Sequence, residues 1–153
     1  MKTLRAACLL AVVLAPAVAA AEPSSPAVQQ RLQPPADATA QSEYNRGVRA
    51  RVARDWETAV SAFRHVIEAR PDFADAWNEL GYALRKQGRY TDSLSAYDRA
   101  LALRPDFPEA LEYLGEAYVD LGRLDDARRV LERLRALDRG RAEELAAEIA
   151  NAK

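Results

Sequence analysis

Ala69-Arg70-Pro71-Asp72-Phe73 and Leu103-Arg104-Pro105-Asp106-Phe107 are nearly the same phrase written twice, 34 residues apart. Carrying that offset outward aligns Gly47, Gly81 and Gly115, then Ala59, Ser93 and Ala127. Phe63, Tyr97 and Leu131 fall into the same register, as do Val66, Ala100 and Leu134. Three repeats result, 40–73, 74–107 and 108–141, with a shorter piece after them. Within the middle repeat, Trp77, Leu80, Gly81 and Leu84 recur at spacings of three and four, the apolar stripe of a helix. Leu94, Tyr97, Ala100 and Leu101 make a second stripe. Gly88 closes the first helix, and Arg104-Pro105 closes the second, because proline disfavours helix at the residue before it. Each repeat therefore reads as an antiparallel helix pair. The aligned Gly, Ala and Ser positions are small where the two helices meet. Phe73 and Phe107 stand just before the next helix, placed to staple its entry.

A period of this length with a helix pair in each unit resembles the tetratricopeptide repeat family. The middle repeat carries the likeness best, in Trp77, Leu80-Gly81, Lys86-Gln87-Gly88-Arg89-Tyr90, Tyr97, Ala100-Leu101 and Pro105. The resemblance implies an all-α, right-handed solenoid of three helix-turn-helix repeats plus a C-terminal capping helix, seven helices in all. The cap is placed at 142–153, where Ala142, Leu145, Ala146 and Ile149 form a stripe opposite Glu143, Glu144 and Glu148. Three departures stand out. In the first repeat Arg46 replaces the counterpart of Leu80 and Arg54 that of Gly88, with Trp56 available as substitute bulk. In the third, Arg139 replaces the proline and Gly140 is the expected helix stop.

The 153 residues leave room for one domain or one short repeat array. A chain 49% hydrophobic and 29% charged is neither collagenous nor wholly disordered. Its net charge of −1 gives no basic surplus for nucleic acid. One Cys and one His exclude a Cys/His zinc site and a Cys–His nucleophile pair by counting. Lys2 and Arg5 precede the apolar run Ala6–Ala15, then Pro16 and small residues to Ala21, the pattern of a signal peptide over 1–21. The apolar run is too short for a membrane span of about 20 residues. Cys8 stands too early in it to be a lipidated N-terminus, so the expected mature chain is periplasmic, unlipidated and free of membrane insertion. Residues 22–39, with Pro23, Pro26, Pro34 and Pro35, read as a disordered linker.

No phosphate loop, GxSxG elbow or HExxH motif occurs, and the sequence points to a protein that is not an enzyme and needs no cofactor or metal. His65, beside Arg64, reads as a solvated surface residue without a partner. The informative residues lie on the face of each opening helix away from the core stripe. Asp75, Asn78, Tyr82 and Arg85 form one such row in the middle repeat, continued by Lys86. The offset sets Tyr44, Val48 and Arg51 on one side, and Glu109, Glu112, Glu116 and Asp120 on the other. In the family this face lines a concave groove that holds an extended peptide or a partner helix. Arg51, Arg85 and Lys86 make the expected groove basic over repeats one and two, and the four acidic residues make it acidic over repeat three. Family members that clamp the carboxylate of a chaperone tail use Lys, Asn and Arg. The aligned places here hold Tyr44, Val48, Glu79, Glu109 and Tyr113, so that ligand is not expected. The reading is of an exported adaptor binding another protein in a bacterial envelope assembly. The alternatives are a self-associating structural protein and a permanent accessory subunit of an envelope enzyme.

Overall fold

The computed structural model describes residues 36–152, and the expected signal peptide, with most of the expected linker, lies outside them. Seven helices and no strand make up the described residues: α1 Ala36–Val52, α2 Trp56–Ala69, α3 Ala74–Lys86, α4 Tyr90–Leu103, α5 Pro108–Asp120, α6 Leu124–Leu137 and α7 Arg139–Asn151. They form the expected three pairs, α1/α2, α3/α4 and α5/α6, with α7 packed on both α5 and α6.

The ends of the helices follow from local chemistry. Asp55 caps α2 by accepting the Thr58 amide at 3.1 Å. α5 opens with Pro108, whose missing N–H is harmless in a first turn. α3 closes with the Gly88 amide on the Arg85 carbonyl and the Arg89 amide on the Leu84 carbonyl, both at 2.9 Å. That arrangement needs a left-handed residue, and Gly88 supplies φ 75°.

Two expected boundaries move. α1 begins at Ala36, four residues inside the stretch assigned to the linker, because the alanine-rich run after Pro34-Pro35 is free to wind at once. The cap begins at Arg139 instead of residue 142, and Gly140 sits in its first turn without ending anything. The stop is Asp138. Its extended backbone ends α6, and its carboxylate accepts the Arg141 amide at 3.1 Å to start α7.

Packing repeats one motif. A Cβ on Gly47 would stand 2.6 Å from the Phe63 ring, and one on Gly81 2.6 Å from that of Tyr97, so each glycine lets a large side chain of the second helix lie against the first. Gly115 serves the cap instead, since its Cβ would meet Leu145 at 2.4 Å. Phe63, Leu80 and Leu84 belong to one buried cluster, and Tyr97, Phe107, Leu111, Leu131, Leu134 and Leu145 to another. Trp77 touches both. It is only half-buried, not enclosed between repeats as the stripe implied, and its Nε1 donates to the Pro71 carbonyl at 2.9 Å. The indole is a bridge whose polar edge faces out.

Candidate protein-binding face

The odd helices α1, α3 and α5 carry the row of residues singled out from the sequence. Tyr44, Val48, Arg51, Tyr82, Glu109 and Glu116 are half-buried, and Lys86 and Asp120 are exposed. Asn78, Glu112 and Arg85 are 2%, 5% and 9% exposed, so these three are interior to the stack and not free for a ligand. The physical reason is the tight stacking of neighbouring repeats. A position that faces outward on an isolated helix is covered once the next helix is laid beside it.

Charge is also spent differently from the sequence expectation of a basic stretch followed by an acidic one. Arg85 reaches across to α5, where it bonds Glu116 and, at 3.0 Å, Asp120. Arg51 Nε lies 3.0 Å from Glu79 Oε2, a close ion pair short of an aligned hydrogen bond. Arg104 bonds Asp75 at 2.5 Å, and Arg141 of the cap bonds Glu112. The Arg104–Asp75 pair ties the two helices of the middle repeat together, the others join each repeat to the next unit, and between them they neutralise most of the face. Of the three basic residues expected to meet a ligand, Lys86 alone lacks an acidic partner within 4.0 Å among the described residues. What remains of the charge pattern runs across the face. Asp75 and Glu109 stand in first turns, and Arg51, Arg85 and Lys86 in last turns, each at the helix end whose dipole it complements.

Burial leaves its mark on these groups. It pushes the carboxyls of Glu79, Glu112 and Glu116 above their ordinary values, against the pull of Arg51, Arg141 and Arg85. Arg85 is drawn down by burial but held above its usual value by Glu116, Tyr97 and Asp120. The Tyr44 phenol is pushed up to about 12 by burial and by the carboxylates of Glu79, Asp75 and Glu109. The end of the face near Tyr44 is therefore a poor place for another anion.

Aromatic rings occupy the middle. Tyr82 lies 4.9 Å from Tyr113 and 6.0 Å from Trp56, and Tyr113 lies 6.3 Å from Tyr97, between ring centroids. Arg51 and Arg85 approach the Tyr82 ring to 5.7 Å and Lys86 to 5.2 Å, within cation–π range. Tyr44 packs edge-on to Phe63 at 5.7 Å and beside Phe73 at 5.2 Å. The row drawn from the sequence did not include Tyr113, Trp56 or Glu79. Tyr113 and Glu79 are one residue beyond Glu112 and Asn78, so widening the helical face by one position finds them. Trp56 opens the second helix of its pair, and no spacing rule on the first helix points to it.

Elsewhere, a cavity of about 480 Å³ opens between α2 and α4, floored by Ile67, Trp77, Leu80, Leu84 and Ala96. His65 has a partner after all, with Nδ1 3.5 Å from Glu43 Oε2. Among the described residues no helix is long and apolar enough to cross a membrane, and no group of His, Cys, Asp and Glu is placed to hold a metal ion.

Two family models, both described as tetratricopeptide repeat, match residues 44–106 and 84–149. No curated protein matches the sequence. Solved structures similar to the chain include the TPR2B domain of yeast Sti1 in complex with pHsp70, at 19% identity and TM-score 0.71 over 75% of this chain and 98% of that one. The Arabidopsis OM64 TPR domain gives 14% and 0.72 over 75% and 97%. The second TPR domain of human RPAP3, solved with the HSP70 peptide SGPTIEEVD, gives 23% and 0.70 over 76% and 98%.

Proposed function

This chain belongs to the tetratricopeptide repeat family, and on that premise we propose that it is an exported, non-enzymatic adaptor holding a segment of a partner protein along the face of α1, α3 and α5. The observation that carries the reading is the half-buried aromatic row of Tyr82, Tyr113 and Trp56 on a face whose charges are largely satisfied by one another. Ion pairs alone would serve to stack the repeats and solvate the groove. The rings also bridge successive repeats, but their open faces do nothing for solvation, and flat amphipathic side chains with few rotatable bonds are what protein interfaces favour. Charge speaks to the class of partner. The positions aligned with a chaperone-tail clamp hold Tyr44, Val48, Glu79, Glu109 and Tyr113, none of them cationic, so a tail ending in acidic residues is not the ligand at that place.

Residues 1–21 supply the address, a cleaved signal peptide, and the working place is the periplasm within an envelope assembly. A photo-crosslinking residue at position 82, expressed in intact cells, is expected to trap a specific partner from the envelope fraction, while the same residue at position 95, beside the α2/α4 cavity, does not. Trapping from position 95 alone refutes the proposed face.

A further inference from the structure

The first repeat departs from its successors at positions that converge on one cavity. α1 closes as α3 and α5 do, with the Arg54 amide on the Arg51 carbonyl at 3.0 Å and the Asp55 amide on the Ala50 carbonyl at 2.9 Å. The left-handed residue of this turn is Gly88 after α3 and Gly122 after α5, at φ 75° and 69°. After α1 it is Arg54 at φ 59°, the one non-glycine residue with positive φ among the described residues. A Cβ is strained in that conformation, and the two later repeats use glycine to make the same turn. Backbone strain kept where it can be avoided points toward a use for the side chain. Two residues on, Trp56 stands where the other repeats have Tyr90 and Leu124. It does not fill the core but rests half-buried against Tyr82.

Arg54, Trp56, Tyr82 and Lys86 together line a cavity of about 270 Å³. The counterparts of Tyr82 are Val48 and Glu116, and those of Lys86 are Val52 and Asp120, so none of the four is shared with its neighbours in the repeat. Neither Arg54 nor Lys86 has an acidic group within 4.0 Å among the described residues. The nearby acids are engaged: Asp55 caps the Thr58 amide, and Glu116 is held by Arg85. Two uncompensated cations flanking two aromatic rings call for an anion attached to a flat apolar group.

We propose that this cavity takes an acidic side chain, Asp or Glu, of the bound partner segment, with a neighbouring aromatic side chain of that segment laid on Trp56 and Tyr82. The proposal rests on the partner-binding reading of the face and adds its subsite chemistry. Its place is the last turns of α1 and α3, away from Glu79 and Glu109. The end near Tyr44 repels a carboxylate and this end attracts one.

The test is a titration, followed by amide NMR, of the isotopically labelled mature protein with an acetylated, amidated hexapeptide, Ser-Gly-Glu-Phe-Gly-Ser. Blocked ends leave the glutamate as the only anion. The Trp56 indole resonance and the Arg54 and Tyr82 amides are expected to shift. The Trp77 indole, bonded to the Pro71 carbonyl, is expected to stay. Glutamine in place of glutamate should weaken binding roughly tenfold, the usual share of a charge-assisted hydrogen bond. Arg54→Gly should weaken the glutamate peptide by about the same factor while leaving the thermal midpoint unchanged or higher, since glycine relaxes the turn. An unshifted Trp56 indole, equal binding of the two peptides, or full affinity in Arg54→Gly overturns the proposal. The partner trapped from position 82 separates the two levels. Loss of its affinity on Tyr113→Ala but not on Arg54→Gly removes the subsite and keeps the groove, whereas indifference to both removes the groove as well.

Discussion

Arg85→Met should destabilise the protein by about 2–3 kcal/mol at neutral pH, and the figure follows from what the guanidinium holds. Arg85 bridges α3 to α5 through Glu116 and Asp120, with side-chain exposures of 8%, 17% and 39% for the three residues. Removing one partner of a buried pair costs about 3–5 kcal/mol, because the remaining charge is left without solvent or counter-ion. Asp120 is exposed enough to turn to water and adds only about 0.5 kcal/mol. Two effects lower the total: methionine fills the space of the stem, and burial of the guanidinium itself is no longer needed. Urea denaturation followed by helix circular dichroism reads the difference. The pH dependence gives a second handle. Burial already raises the Glu116 carboxyl, and loss of Arg85 raises it further above its unfolded value. A carboxyl whose folded pKa is raised binds more protons folded than unfolded, so the deficit should shrink as pH falls from 7 toward the unfolded range near 4.5. The double variant Arg85→Met/Glu116→Leu should recover most of the loss. A single variant as stable as the parent, or a double variant no better than the single, refutes the account of Arg85 as an internal strut.

Other outcomes follow from the same geometry. Glu79, Glu112 and Glu116 all have raised carboxyls, so the parent protein should gain stability as pH falls from 7 toward about 5. It should then lose stability below about 4 as Asp55 and Asp126, held down by Thr58 and Arg123, are protonated; thermal melts across pH locate the maximum. Trp77→Ala should cost about 2–4 kcal/mol, somewhat under a fully enclosed indole, because one edge of the ring is open. Chemical denaturation measures it, and an unchanged midpoint contradicts the bridging role. Gly115→Ala should destabilise by about 1–2 kcal/mol despite the better helix propensity of alanine, because the new methyl displaces Leu145 of the cap. Hydrogen exchange should show α7 opening first. Mass spectrometry of the protein recovered from its native host should place the mature N-terminus between Ala20 and Glu22, without lipid, and a retained Met1–Arg5 contradicts export with cleavage.

The repeat was legible in the sequence because its marks are local. Gly88 with its left-handed turn, Pro105 after a helix and the Gly81/Tyr97 contact all follow from spacing along one chain segment. The cap boundary failed for a local reason too. Gly140 is a common helix stop, but Asp138 two residues earlier satisfies both the end of α6 and the start of α7. The face was harder. Its residues lie on α1, α3 and α5, and their burial and pairing depend on how far one helix stands from the next. Nothing in the helical spacing of Arg85 says that Glu116, 31 residues on, lies within reach. A row of charges on one helix therefore reads as a ligand surface when part of it is the glue between repeats. Arg54 shows the reverse case. In the sequence it is only a missing glycine, and its φ angle makes it conspicuous.

The affinity of the partner trapped from position 82 for the Tyr82→Ala protein tests the central claim most directly. Calorimetry should show binding weakened by about tenfold or more, as for an interface aromatic worth about 1–2 kcal/mol, with the helical circular dichroism and denaturation midpoint close to those of the parent. Unchanged affinity in a folded Tyr82→Ala protein contradicts the claim that the face of α1, α3 and α5 is where the partner binds.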